Sequence, residues 1–259
     1  MSKNSNPPIW VSQNFLTSTK TINRLIKKTS ITSDDYVVEI GPGKGHITRA
    51  LVKHCKKLAA IELDKSLFDK LQIKYSAFEN LELYRQDFLK WKLPATGKYK
   101  IFANIPFNHT TNIIRKLAES PNPPTDAWLI VEKGAAKRMM GSPRESGLSL
   151  MLKPVFDIRI VYHFKREDFH PMPGVDVVMI HISKKLVLDI PQTQMKSYRR
   201  FIAAAVKNNG TGLRGIFTGK QLTRACREAG VSDIVSGEIL YIQWLCLFRS
   251  YRMYACMRG

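Results

Sequence analysis

Four short stretches of the chain carry more chemistry than a fold needs. "EIGPGKGH", from Glu39 to His46, is a glycine loop between an apolar run and a helical one. "AIELD" contains Glu62, "RQDF" holds Asp87 beside Phe88, and "NIPF" ends an apolar run with Asn104, Ile105, Pro106 and Phe107. The glycine spacing is not a dinucleotide fingerprint. Gly41 and Gly43 fit GxGxxG, but the third slot is His46, with the glycine one residue early at Gly45. An ExGxGxG loop lets the backbone come close to a bulky, uncharged nucleoside. It serves equally as a tight strand-to-helix turn whose φ angles require glycine. Glu62 tips that balance, because a strand-end carboxylate roughly 20 residues past the loop accepts hydrogen bonds from both ribose hydroxyls. Asp64 is available for the ordinary strand-end role. Asp87 suits the exocyclic amine of an adenine, with Phe88 packed on the ring.

Strands and helices must hold these residues. Tyr36 to Ile40 reads as a buried strand, followed by "KLAAIELD", by "LELYRQD" ending at Asp87, by "YKIFAN" and by "AWLIVEK". Between them, helical spacing puts Ile22, Leu25 and Ile26 on one face, then Ile47, Ala50, Leu51 and His54, then Leu67, Phe68, Leu71 and Tyr75, and finally Ile113, Ile114 and Leu117. Alternation of this kind predicts parallel crossover units and a sheet covered on both faces. The four chemical stretches then fall in order at the carboxyl ends of successive strands, where open α/β sheets bind ligands. Beyond Met151 the alternating "FDIRIVYHF" and "DVVMIHI" suit a hairpin-like pair closing the sheet, with "FHPMPGVD" a loop between them. From Leu186 the pattern is helical and rich in Lys and Arg. The expected fold is therefore α/β, a Rossmann-like sheet domain over 1–185 with a smaller all-helical, basic domain over 186–259.

The formal charge is +20, from 41 Lys and Arg against 21 Asp and Glu. Such a field suits a phosphate backbone better than a small metabolite, the rivals being generic solubility and adhesion to an acidic membrane. The four cysteines form no CxxC pair and sit near no histidine cluster, so no metal site is expected. The polar N-terminus has no apolar signal core, and the longest apolar run, "ILYIQWLCLF", is too short to span a bilayer. A reducing, cytoplasmic setting without membrane attachment is the expectation.

In the order glycine loop, Glu62, Asp87, "NIPF", the chain resembles the S-adenosylmethionine-dependent rRNA adenine N6-methyltransferases over nearly its whole length, least specifically after Leu186. "SQNFL" (12–16) is similar to that family's N-terminal cofactor motif, and "FHPMPGVDVVMI" to its late proline loop. "KIFANIPFNHTTNIIRKL" and "IVEKGAAKRMM" look like the Erm-type macrolide-resistance enzymes, whereas the housekeeping small-subunit dimethyladenosine transferases more often show NLPY and QKE. The resemblance implies S-adenosyl-L-methionine as cofactor, held by Asn14, Leu16, Gly41, Glu62, Asp87 and Asn104. It implies a catalytic corner of Asn104, Ile105, Pro106 and Phe107. There the Asn104 oxygen and a carbonyl at Ile105 or Pro106 would accept both N6 hydrogens of the target adenine. Phe107 stands where the family usually has tyrosine, and keeps a face on which a flipped base can stack. Phe169 is either the opposite wall of the base slot or a loop residue buried for packing. The implied substrate is one adenine of 23S rRNA in the peptide exit tunnel, whose methylation blocks macrolide, lincosamide and streptogramin B binding. A monomeric enzyme is expected, with Lys133, Lys137, Arg138, Lys165 and Arg166 as candidate phosphate binders. The alternatives are a small-subunit (16S) dimethyladenosine transferase, a basic RNA-binding relative without catalysis and, more weakly, a DNA adenine methyltransferase.

Overall fold

The computed structural model describes residues 14–256, the side chains of Phe107 and Cys256 excepted. In chain order the elements are β1 (Phe15–Leu16), α1 (Thr19–Ile26), β2 (Tyr36–Ile40), α2 (Thr48–Leu51), β3 (Lys57–Glu62), α3 (Lys65–Lys74), β4 (Leu81–Arg85), β5 (Lys100–Asn104) and α4 (Thr110–Glu119). There follow β6 (Asp126–Glu132), α5 (Lys133–Met140), α6 (Gly147–Leu152), β7 (Phe156–His163), β8 (Phe169–His170) and β9 (Val177–Lys184). The last four are helices, α7 (Gln192–Ala205), α8 (Leu213–Ile216), α9 (Gly219–Ala229) and α10 (Tyr241–Cys256).

Seven strands form one sheet in the order β4-β3-β2-β5-β6-β9-β7. Pairs β2–β3, β2–β5, β3–β4 and β5–β6 are parallel, and β9 runs antiparallel to β6. Both faces of the central strands are covered, so they are apolar almost without interruption: Val37, Val38, Ala59, Ala60, Ile101, Phe102 and Ala103 are all buried. The chain leaves β2 toward β3 and β4, then returns to its other side as β5. The strand order reverses between β2 and β5, and in open α/β sheets ligands bind outside the carboxyl ends at such a switch point.

The chain divides into two compact units. One joins the residues up to Ala136 with Arg159–Lys184, the other Lys137–Ile158 with the residues from Lys185 onward. The division expected at 185/186 differs from this by the segment 137–158, which belongs with the helices. Those helices have their own aromatic centre, with Phe201 packed against Tyr251, Phe248 and Trp244 at 5.3, 5.6 and 6.2 Å. Capping boxes on Ser146 and Thr218 begin α6 and α9, and Gly230, at φ 64°, ends α9. Among the described residues no helix is long and apolar enough to cross a membrane.

Two local departures from the pattern have clear causes. The helix expected to run from Ile47 to His54 is the single turn α2. The Asn80 amide donates to the carbonyls of Val52 (2.9 Å) and Cys55 (3.1 Å) and so ends it. "FHPMPGVD" is not loop throughout, since Phe169 and His170 pair antiparallel with Leu16 and Phe15.

Candidate active site

The glycine loop turns out of β2 with three left-handed residues, Gly41 (φ 64°), Gly43 (φ 58°) and Gly45 (φ 78°). Two of them also need to lack a side chain. A Cβ on Gly43 would lie 2.7 Å from the Phe15 ring, and one on Gly45 2.7 Å from both Leu71 and Tyr75. Gly41 differs, because a Cβ there would meet nothing within 4 Å. Its amide is tied to the Ile61 carbonyl (3.0 Å), so its outer face is a fixed floor beneath open space.

Glu62, at the end of β3, is only 3% exposed. Its Oε2 accepts the Gly43 amide and its Oε1 the Asp64 amide, both at 2.9 Å. Burial raises its pKa, and the Asp64 and Gly43 amides pull against that rise. Asp64 in turn accepts the Leu67 amide (2.9 Å) as the N-cap of α3, the ordinary role its position suggested. Below the loop Glu39 is buried with one oxygen unpartnered, and its pKa is pushed up to about 8, chiefly by that burial and further by Glu62.

Asp87 lies two residues beyond β4 rather than within it, because the Gln86 amide already bonds the Glu62 carbonyl and closes the strand pairing. Its Oδ1 accepts the Leu89 amide at 2.8 Å, and Phe88 behind it is buried. Lys116 on α4 holds this turn in place. Its ammonium donates to the carbonyls of Phe88 (2.7 Å), Leu89 (2.9 Å) and Trp91, and sits 5.1 Å over the Phe88 ring. The sequence reading overlooked Lys116. Its only signal was a lysine on the same face as Ile113 and Leu117, the apolar side of α4.

The corner follows β5 on the other side of the switch point. Asn104 donates its amide nitrogen to the Asn14 carbonyl at 2.8 Å. A carbonyl can only accept, so this bond fixes which way the amide points. Oδ1 is left to accept, and it accepts no hydrogen bond among the described residues. Ile105 is buried and donates to the Ile130 carbonyl (3.2 Å), which carries the chain off the end of β5. Pro106, at φ −56°, starts a 3-10 turn over Phe107–His109 whose His109 amide bonds the Pro106 carbonyl at 3.0 Å. Of the two candidate backbone acceptors, Pro106 is thus engaged, while the Ile105 carbonyl accepts nothing among the described residues.

The structure brings Asn14, Gly41, Glu62, Asp87 and Asn104 to the carboxyl ends of adjacent parallel strands. Leu16 is buried and packs in the core, so only its main chain is available to a ligand. The side chain of Phe107 is outside the described residues. Phe169 is 3% exposed, and its ring lies 5.1 Å from Phe164 in the core. It has no exposed face against which a base could lie, and of its two readings the packing one matches this geometry. Lys133 and Arg166 each lie 3.6 Å from an Asp176 oxygen, which offsets part of their charge.

A parallel sheet with one antiparallel strand near its edge, a glycine loop after β2 and acids after β3 and β4 define a Rossmann-like methyltransferase. The model of ribosomal RNA adenine dimethylases matches residues 8–235. A curated rRNA adenine N-6-methyltransferase of Limosilactobacillus reuteri is 36% identical over 94% of this chain and 96% of its own. A namesake from Escherichia coli is 35% identical over 96% and 98%. Among solved structures, the 23S rRNA methyltransferase ErmE superposes with a TM-score of 0.78 at 26% identity, covering 92% of this chain and all of its own. A dimethyladenosine transferase from Plasmodium falciparum shares the fold, with a TM-score of 0.71 at 20% identity. The chain belongs to the ribosomal RNA adenine dimethylase family and is an rRNA adenine N6-methyltransferase.

Proposed function

We propose that the protein transfers a methyl group from S-adenosyl-L-methionine to N6 of an adenine in 23S rRNA at the macrolide-binding site. It would thereby confer resistance to macrolides, lincosamides and streptogramin B, acting as a cytoplasmic monomer. The observation that carries the chemistry is the orientation of Asn104. Its nitrogen is spent on Asn14, which leaves its oxygen to accept, and the carbonyl of the next residue, Ile105, accepts nothing among the described residues. Adenine N6 is a poor nucleophile because its lone pair is delocalised into the ring. Two acceptors that take both N6 hydrogens favour a pyramidal nitrogen and stabilise the positive charge that develops on it during transfer. Pro106 locks the backbone that carries one of them. The ring at position 107 is the proposed stacking face for the flipped base.

The cofactor side fits a nucleoside with a charged tail. Gly41 leaves open space at the switch point, Glu62 keeps lone pairs beyond its two amide bonds, and Asp87 keeps Oδ2. Glu62 would hold the ribose hydroxyls, Asp87 the adenine amine, and the main chain of Asn14 and Leu16 the near edge. S-adenosyl-L-methionine, when bound, supplies an electrophilic methyl on a sulfonium. The large-subunit target is favoured by the "NIPF" and "VEKG" motifs and by the likeness to ErmE. Primer extension on rRNA from a host expressing the protein tests the proposal. A new stop at the exit-tunnel adenine of 23S rRNA, with raised macrolide tolerance, is expected. A stop in 16S rRNA instead would identify a small-subunit dimethyladenosine transferase.

A further inference from the structure

A groove of about 380 Å³ opens beside the glycine loop, on the surface formed by α1, α2 and α3 within the first unit. Its charged lining is of one sign. Lys27, Arg49, Lys53 and Lys74 contribute exposed cations, His46 and His54 also line it, and among the described residues no carboxylate, Phe, Tyr or Trp does. None of the four cations has an ion-pair partner among the described residues, although elsewhere Lys57, Lys65 and Lys100 are each paired with an acid. Lys74 is held at the loop end of the groove, donating to the Lys44 carbonyl at 3.1 Å. The pKa of His46 is lowered, first by burial and then by the charge of Lys74.

Four converging like charges repel one another, and the arrangement gains from a polyanion lying along it. With no Phe, Tyr or Trp among its described lining and four cations along it, the groove suits a sugar-phosphate backbone better than splayed bases. We infer that this groove holds the phosphodiester backbone of the RNA flanking the target adenine, with Lys27, Arg49, Lys53 and Lys74 on the phosphates. The inference rests on RNA being the substrate. It places an anchoring surface directly against the cofactor loop, so that docking the backbone there positions the flipped base at Asn104.

The test is fluorescence anisotropy of the full-length protein with a labelled 23S-derived hairpin, titrated between about 50 and 200 mM salt. The double variant Arg49→Gln/Lys53→Gln is expected to bind roughly tenfold or more weakly, with the slope of log affinity against log salt reduced by about 1.5 to 2. The control Lys98→Gln/Lys184→Gln, at exposed lysines outside the groove, should move neither quantity, and both variants should melt as wild type. Wild-type affinity and salt slope in the groove variant would overturn the inference. So would saturable binding of inorganic phosphate at constant ionic strength, which marks an isolated anion pocket. Wild-type protein that binds the hairpin with this salt dependence yet methylates no rRNA would instead overturn the proposed reaction and leave the groove intact.

Discussion

The two sides of the switch point, the proposed cofactor side and the proposed base side, are built on different terms. On the cofactor side, strand-end acids are used first by the protein: both Glu62 oxygens and one Asp87 oxygen hold backbone amides, and Lys116 clamps the turn behind Asp87. On the base side, one hydrogen bond orients Asn104 and leaves its oxygen without a partner among the described residues, and the Ile105 carbonyl that follows it in the chain is likewise without one. The first side is then proposed as a preformed cradle, its acids held by main-chain amides before any ligand binds. The second is, on the proposed reading, a pair of acceptors whose partners would arrive with the substrate. Binding the methyl donor and activating the adenine should therefore be separable by mutation, with the Asn104 side chain, which the resemblance also offered to the cofactor, assigned to the base side.

Asn104→Ala should give the largest effect, a loss of 10²–10³ in turnover, the size typical of removing one preorganised polar partner. Steady-state methylation of the rRNA hairpin measures it, and turnover within a factor of two of wild type would make the corner structural. Glu62→Gln comes next. A glutamine can accept only one of the two amides that face the carboxylate, so its NH₂ is set against the other. Cofactor affinity should fall by roughly 1–3 kcal/mol, read by calorimetry, with the maximal rate much less affected. An unchanged dissociation constant would move the ribose site elsewhere.

Lys116→Met should weaken cofactor binding by about 1 kcal/mol, because three carbonyls lose a shared donor and the Asp87 turn loosens. If melting temperature drops while cofactor affinity holds, the clamp serves only the fold. The smallest expected effect on the site is that of Glu39→Gln, which is read as pH dependence. Folded, Glu39 keeps its proton up to about pH 8, whereas an unfolded glutamic acid releases it near 4.5. Between those values the folded chain binds more protons, so stability falls as pH rises. Melting curves between about pH 5 and 8 should slope downward in wild type and be flatter in Glu39→Gln. Equal slopes would mean that Glu39 is charged in the folded protein.

Much of this site was legible in the sequence because its residues lie at strand ends, and strand ends are marked by apolar runs stopping at Gly41, Glu62 and Asn104. The choice between the Ile105 and Pro106 carbonyls was not legible, since it depends on where the His109 amide lands. Nor was the burial of Phe169, which follows from a two-residue pairing with β1 too short to leave a pattern. The assignment of 137–158 to the helical unit depends on long-range packing that local periodicity does not encode. The basic groove draws on positions 27, 49, 53 and 74, which are neighbours only after α1, α2 and α3 have been placed on the sheet.

The separability of the two sides is tested most directly by calorimetric titration of S-adenosyl-L-methionine into wild type and Asn104→Ala without RNA. Wild type should bind in the absence of substrate, and Asn104→Ala should bind within about a factor of three, a difference of well under 1.4 kcal/mol. Failure of wild type to bind without RNA, or a loss of affinity in Asn104→Ala as large as its loss of turnover, would contradict a preformed cofactor side.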